Sequence, residues 1–177
     1  MEIYLIRHTS VDVPEGICYG QTDVPLKDTF EKEAALVKQK LRDIPFDAVY
    51  TSPLSRCTRL ADYCGYSDAV RDGRLKEISF GAWEMLSYPQ IMKCDPHIGK
   101  WVADFLNVPA TDGESVADLN VRVVSFLDEI RTKDYRRVAV FTHGGILAGA
   151  QVYVGLIQPE EAFKSPEPFG GIVRISF

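Results

Sequence analysis

Two histidines of this chain occupy the same kind of position, directly after a short apolar stretch. His8 follows residues 2–7, and His143 follows residues 137–142, which form the most apolar of these stretches. Both stretches predict buried strands, and in open α/β sheets ligands bind at the carboxyl ends of the strands. The spacing therefore predicts that two imidazoles share one ligand-binding crevice.

The neighbours of the two histidines indicate what kind of ligand this crevice binds. Arg7 precedes His8, and the glycines Gly144 and Gly145 follow His143 at the start of a predicted helix. Free N–H groups at a helix N-terminus attract anions. A histidine at a strand end can also be a simple packing residue, but the shared position, the arginine and the paired glycines together favour an anion site.

A third cation lies near the start of another predicted helix. Ser52 and Pro53 follow a short apolar strand, and they predict a helix with Ser52 as N-cap and Pro53 as first helical residue. Arg56 then lies about one turn into the helix, and helical side chains lean toward the N-terminus. Its guanidinium can therefore reach the crevice and hold a phosphate by two parallel hydrogen bonds. Taken alone, such an arginine is more often a surface charge.

The remaining requirement of phosphate chemistry is a proton donor. Glu77 and Glu84 lie in an irregular segment beside Phe80 and Trp83. Burial near these rings would raise the pKa of a glutamate and keep it protonated at neutral pH. Either carboxyl group could equally be an exposed loop residue, and their spacing does not choose between them.

The elements that must position these residues alternate between strand and helix. Apolar runs predict strands at 2–6, 46–50, 69–71, 137–142 and 172–177, and helical periodicity marks 30–44, 53–64, 115–130 and the segment after 143. Residues 9–25 predict a long ordered loop, and residues 73–112 an irregular segment with one or two short helices. This alternation predicts a layered α/β fold with a largely parallel sheet.

The composition is that of an ordinary soluble globular protein. The chain has 177 residues, of which 46% are hydrophobic and 25% charged, so we expect a single domain over residues 1–177. The formal net charge of -5 argues against a nucleic-acid partner, since backbone phosphates require a basic surface.

The sequence also indicates where the protein is located and which covalent chemistry its side chains undergo. No run approaches the roughly 20 apolar residues of a membrane span, and no export signal precedes Arg7, so we expect a cytoplasmic protein that does not bind a membrane. The four cysteines lack paired spacing and are expected to be reduced thiols. No metal-binding motif is present, so we expect neither a metal nor another cofactor.

These residues resemble the histidine phosphatase superfamily, which includes the cofactor-dependent phosphoglycerate mutases. The matching segments occur in the family's order, at Leu5–Thr9, Ser52–Cys57, Leu75–Glu77 with Phe80–Glu84, Gly113–Ser115 and Thr142–Gly145. The resemblance implies a phosphoglycerate mutase-like, three-layer α/β/α sandwich. It also implies that His8 is the nucleophile, that Arg7, Arg56 and His143 hold the phosphoryl group, and that Glu77 is the proton donor.

One departure from the family pattern indicates a branch. The family commonly has Gly after the Arg-His pair and an Asn downstream, whereas this chain has Thr9 and no such Asn, so Gln21 becomes the candidate replacement in phosphate binding. Residues 16–26 resemble the alpha-ribazole phosphatase branch, which acts in assembly of the cobalamin nucleotide loop. The expected substrate is thus a small phosphomonoester, most specifically alpha-ribazole 5'-phosphate.

Three alternatives remain open at this level. The chain could be a broad-specificity sugar-phosphate phosphatase, a phosphoglycerate mutase-like enzyme, or a non-catalytic phosphate-binding relative. Residues 85–112 form a short segment for the lid that a mutase needs, which favours hydrolysis. A mere phosphate binder needs no proton donor, which favours an enzyme.

Overall fold

The computed structural model describes residues 1–162, residue 164 and residues 166–177. Within these residues, the strands are β1 (Glu2–Arg7), β2 (Ala48–Thr51), β3 (Val70–Arg71), β4 (Arg137–Thr142) and β5 (Ile172–Ser176). The α-helices are α1 (Phe30–Leu41), α2 (Ser55–Cys64), α3 (Tyr88–Cys94), α4 (Ile98–Ala103), α5 (Val116–Arg131) and α6 (Gly144–Tyr153). Short 3₁₀ helices occur at Gly73–Leu75, Gly81–Trp83 and Pro159–Glu161.

The strands form one sheet in the order β3-β2-β4-β1-β5. The pairs β2–β3, β2–β4 and β1–β4 are parallel, whereas β5 pairs antiparallel with β1 at the edge. The prediction of a largely parallel sheet is therefore confirmed. Because β1 and β4 are neighbours, the first and fourth strands of the chain end side by side.

Helices cover both faces of the sheet, as the apolar character of its central strands requires. In β1, Ile3 and Leu5 pack into a core with α5 and α6, while Ile6 packs into a second core with α1 and α2. Successive side chains of β4 alternate in the same way, because side chains along a strand point to opposite faces. The expected three-layer α/β/α sandwich is confirmed.

The start of α2 differs from the prediction. Leu54 occupies the N-cap position and the helix begins at Ser55, so Ser52 is not its cap and Pro53 is not its first residue. Leu54 has extended backbone, with φ of -69° and ψ of 139°, so the chain enters the helix only at Ser55. Asp23 acts from the preceding long loop instead, since its Oδ1 accepts hydrogen bonds from the Ser55 N–H at 2.9 Å and the Ser55 hydroxyl at 2.7 Å. Arg56 is consequently the second residue of α2.

Other local predictions agree with the structure. Ser115 caps α5 by accepting a hydrogen bond from the Asp118 N–H, and the Asp118 carboxylate in turn accepts one from the Ser115 N–H. Residues 73–112 contain α3 and α4. All four cysteines are free thiols. No α-helix within the described residues has the length and apolar character that crossing a bilayer requires.

Candidate active site

The pairing of β1 with β4 brings His8 and His143 together. Arg7 lies opposite Thr142 in the parallel register, so the residues that follow them leave the sheet side by side. The two imidazole centroids are 5.2 Å apart with an interplanar angle of 63°. Both side chains are buried, with 2% and 0% of their surface exposed. The shared crevice predicted from the sequence is therefore present.

The surroundings of His8 fix both its tautomer and its charge. The ring Nδ1 lies 2.8 Å from the backbone carbonyl oxygen of Thr9. Because a carbonyl can only accept, Nδ1 carries the proton and Nε2 keeps its lone pair. Burial, together with the positive charges of Arg56 and Arg7, lowers the pKa of His8 to about 3, although the Thr9 carbonyl acts in the opposite direction. His8 is therefore a neutral imidazole with an available Nε2.

His143 is held by hydrogen bonds at both ring nitrogens. The Arg56 Nε–H donates to Nδ1 at 3.3 Å, which leaves the proton on Nε2, 2.8 Å from the Ser52 hydroxyl oxygen. Burial, then the charge of Arg56, lowers the pKa of His143 well below its ordinary value. A neutral His143 therefore positions Arg56 and offers one N–H donor, which Ser52 now receives.

Arg56 is fully buried and ties the long loop to the site. Its Nη1 donates to the carbonyl oxygen of Thr22 at 2.9 Å, its Nη2 donates to that of Gly20, and its Nε donates to His143. A guanidinium has five N–H donors. Three are used by these contacts, so two N–H groups of Arg56 remain for another acceptor.

Arg7 presents an unused edge of its guanidinium. Its Nη1 donates to the backbone carbonyl oxygen of Glu167, whereas its buried Nε has no partner among the described residues. Gly144 packs close to the same group, since a Cβ at this glycine would lie 3.4 Å from the guanidinium carbon. Nε–H and one N–H of Nη2 point in the same direction, which suits two oxygens of a phosphate.

Glu77 is placed beside the crevice by main-chain donors. One carboxylate oxygen accepts the Ile78 N–H at 2.9 Å and the other accepts the Gly145 N–H at 3.1 Å. Glu77 lines a cavity of about 170 Å³ together with residues that include Arg7 and Gly144. The side-chain amide of Gln21 donates one of its two N–H groups to the Glu77 carbonyl oxygen at 3.0 Å, which places Gln21 beside Glu77.

Glu84 has a different environment from Glu77. Its carboxylate accepts hydrogen bonds from the N–H groups of Gly20, Gln21, Thr22 and Phe80, and from the Thr22 hydroxyl at 2.6 Å. Burial alone would raise the pKa of Glu84, but these donors outweigh burial and lower it. Glu84 is therefore an ionised anchor of the long loop, and a poor proton donor.

The site's neutral strand-end histidines, paired arginines and adjacent glutamate match the pattern of one family. A family model of the histidine phosphatase superfamily (branch 1) matches residues 3–176. The chain belongs to the histidine phosphatase superfamily. It is therefore an enzyme of the phosphatase class, and the resemblance drawn from its motifs is confirmed.

Individual members of the superfamily resemble the chain over most of its length. Phosphoserine phosphatase 1 of Hydrogenobacter thermophilus is 28% identical, over 79% of this chain and 69% of that protein. The adenosylcobalamin/alpha-ribazole phosphatase of Salmonella typhimurium is 27% identical, over 84% and 76%. The crystal structure of the alpha-ribazole phosphatase from Shigella flexneri has a TM-score of 0.91 at 23% identity, covering 100% of this chain and 91% of that one. The fold is thus phosphoglycerate mutase-like.

Two residues of this histidine phosphatase site were missed by the sequence reasoning. Ser52 was assigned to helix capping, yet its hydroxyl receives the His143 N–H. Phe169, from the turn before β5, packs its ring 5.4 Å from the His8 ring. The paired glycines at 170 and 171 were the available signal for a close backbone approach near the site.

The described residues of this phosphatase contain no cluster of three or more His, Cys, Asp or Glu side chains that could hold a metal ion. The carboxylates of Glu77 and Glu84 both accept hydrogen bonds from backbone N–H groups. Arg56 and Arg7 supply positive charge to the crevice, since both act on the pKa of His8.

Proposed function

We propose that the chain hydrolyses phosphomonoesters through a phosphohistidine on His8, and that its substrate is alpha-ribazole 5'-phosphate. The observation that carries the first part is the state of His8. The imidazole is neutral, its Nδ1–H is committed to the Thr9 carbonyl, and its Nε2 lone pair lies in a crevice with Arg7 and Arg56. These are the requirements of a nitrogen nucleophile that attacks an anion.

In the first step, Nε2 of His8 forms a bond to phosphorus as the bond from phosphorus to the ester oxygen breaks. Glu77, in its protonated form, gives its proton to the departing alkoxide. Arg7 and Arg56 bind the phosphoryl oxygens, and the Nε2–H of His143 turns from Ser52 to the same group. The Thr9 carbonyl stabilises the positive charge that the ring acquires at Nδ1–H.

In the second step, water attacks the phosphorus. The Glu77 carboxylate takes a proton from the attacking water, the nitrogen–phosphorus bond breaks, and its electron pair returns to Nε2 of His8. Inorganic phosphate leaves, and His8 and protonated Glu77 are regenerated. Gln21 supports this cycle through the backbone of Glu77, to which its amide donates a hydrogen bond.

Two observations support an aromatic, uncharged leaving group. The alpha-ribazole phosphatase of Salmonella typhimurium is among the relatives of the chain. In addition, an apolar cavity of about 240 Å³ shares Ile78 and Phe80 with the catalytic cavity, and Trp101, Phe105 and Val116 complete its lining. None of these five residues is charged, so the cavity suits a benzimidazole better than the ammonium and carboxylate of phosphoserine.

Phosphoserine is the second candidate substrate, because a phosphoserine phosphatase is related to the chain at 28% identity. A kinetic panel separates the candidates by the release of inorganic phosphate. The panel contains alpha-ribazole 5'-phosphate, phosphoserine, glucose 6-phosphate and 3-phosphoglycerate. In the reaction with 3-phosphoglycerate, NMR detects any 2-phosphoglycerate formed by mutase activity. We expect the highest kcat/KM for alpha-ribazole 5'-phosphate. Equal values across the panel would reduce the proposal to a general phosphatase.

The covalent step is tested separately. Enzyme mixed with ³²P-labelled substrate and quenched in alkali should retain label on protein, and acid should release it, as expected for phosphohistidine. His8→Ala should abolish both label and turnover. Label that survives acid, or that persists in His8→Ala, would contradict the assignment of the nucleophile.

A further inference from the structure

The turn that precedes β5 is hydrogen-bonded to the backbone of the nucleophile itself. The Gly170 N–H donates to the His8 carbonyl oxygen at 3.1 Å, and the Arg7 N–H donates to the Gly171 carbonyl oxygen at 2.9 Å. The chain's last strand therefore delivers this turn to the crevice, far from the motifs in the first part of the sequence. Phe169 lies at its tip.

The Phe169 side chain contacts His8 and Arg7, the two residues whose backbone is hydrogen-bonded to this turn. Its ring centroid is 5.4 Å from that of His8, and the guanidinium carbon of Arg7 lies 4.2 Å from the same centroid. About 40% of the Phe169 surface remains exposed, so the ring is not part of the buried apolar core. An exposed aromatic ring that contacts a cation and the nucleophile is not explained by core packing alone.

These contacts determine which edge of Arg7 faces a ligand. The Glu167 carbonyl oxygen holds Nη1, Phe169 lies against the guanidinium, and Gly144 leaves room for it. Rotation of the guanidinium would break the first contact and disturb the second. The buried Nε is left without a partner among the described residues, and the edge that it forms with Nη2 can bind two phosphoryl oxygens.

We propose that Phe169 is a positioning residue, whose ring holds Arg7 and His8 in the geometry that captures the phosphoryl group. It acts on anion binding through Arg7, by a cation–π contact, whereas its contact with His8 limits rotation of the imidazole and so acts on the rate of labelling. The inference rests on the proposed function, because it assumes that Arg7 binds the phosphoryl group and that His8 attacks it. An aliphatic residue of similar size would fill the space without attracting the guanidinium.

The chain provides a matched control for this contact. Phe177 is also about 40% exposed, at 39%, and it also has an arginine near its ring, since Arg131 lies 4.8 Å from its centroid. Phe177 follows the end of β5 that pairs with the start of β1, which is the opposite end of the strand from the crevice. Phe169→Leu and Phe177→Leu therefore remove comparable contacts, one at the site and one away from it.

The test measures equilibrium binding of orthovanadate and the rate of phosphohistidine formation in folded variants. Phe169→Leu should weaken vanadate binding roughly 3- to 30-fold, the range expected for one cation–π contact, and slow labelling. Phe169→Tyr should retain both properties, and Phe177→Leu should match the wild type. Unchanged vanadate binding in Phe169→Leu, or an equal loss in Phe169→Tyr, would overturn the proposal.

A double-mutant cycle shows whether the effect passes through Arg7. In an Arg7→Ala background, Phe169→Leu should change vanadate binding by less than about twofold. Additive losses would overturn a positioning role, because a purely structural effect does not depend on Arg7. Vanadate binding requires no turnover, so a wild type that binds vanadate but forms no phosphohistidine would count against the proposed function alone.

Discussion

The backbone N–H of Gly145 donates a hydrogen bond to Glu77 at 3.1 Å, and a side chain at position 145 would abolish this arrangement. A Cβ there would lie 2.3 Å from the other carboxylate oxygen of Glu77 and 3.0 Å from a methyl group of Leu119. The glycine at the second position of α6 therefore sets the position of the carboxyl group that we propose as the proton donor.

Gly145→Ala should consequently displace Glu77 and reproduce the loss of a general acid. We expect kcat for an alkyl phosphate to fall roughly 10²- to 10⁴-fold, the usual contribution of such a group. The burst of nitrophenol from p-nitrophenyl phosphate should be retained, since this leaving group needs no proton. Gly99→Ala is the matched control, because nothing lies within 4 Å of a Cβ there. Wild-type turnover by Gly145→Ala would show that catalysis does not depend on the position of the Glu77 carboxyl group.

Glu77 and Glu84 should respond differently to the same substitution. Glu77→Gln should lower alkyl phosphate turnover about 10²- to 10⁴-fold and spare the aryl burst. Glu84→Gln removes the carboxylate that accepts the Gly20, Gln21 and Thr22 N–H groups, so it should chiefly lower the melting temperature. Stopped-flow burst kinetics and thermal unfolding separate the two outcomes. If Glu77→Gln slows the aryl burst as much as alkyl turnover, Glu77 is not the acid.

The buried histidines should make the protein less stable in mild acid. The pKa of His8 is about 3 when folded and about 6.5 when unfolded, so between these values the unfolded state binds more protons. The free energy of unfolding therefore rises with pH and falls as pH is lowered below about 6.5, and His143 acts in the same direction.

Each buried histidine contributes a slope of up to about 1.4 kcal/mol per pH unit below roughly pH 6. Urea unfolding between pH 7 and pH 5 measures this slope before most carboxylates titrate. His8→Asn and His143→Asn should each reduce it, whatever their effect on stability at pH 7. A slope that neither variant changes would contradict the neutral state assigned to the two rings.

Phosphoryl binding should depend on the arginines and not on a metal. Exhaustive chelation should leave kcat/KM within error, whereas vanadate should inhibit competitively by occupying the crevice. Arg56→Ala should slow phosphohistidine formation from alkyl and aryl phosphates alike, because it binds the phosphoryl oxygens whatever group departs. Loss of activity on chelation, with recovery on adding Mg²⁺ or Zn²⁺, would refute the metal-free mechanism.

The sequence was sufficient for features that depend on a few consecutive residues. Apolar runs and turn residues predicted β1 and β4, and the position of His8 and His143 directly after them followed without a structure. The alternation of strands and helices likewise predicted the sandwich, because period and propensity are local properties. The motif around Arg56 also identified a crevice residue, even though the start of α2 was misplaced.

Tertiary structure decided how each of these residues is used. The choice between Glu77 and Glu84 depends on distant donors, namely Gly145 for the first and residues 20–22 for the second. The loop that contains Asp23 takes over the capping of α2, which leaves Ser52 for His143. Phe169 reaches His8 only because β5 pairs with β1 from the far end of the chain. Contacts of this kind are set by strand order and burial, which no short stretch of sequence encodes.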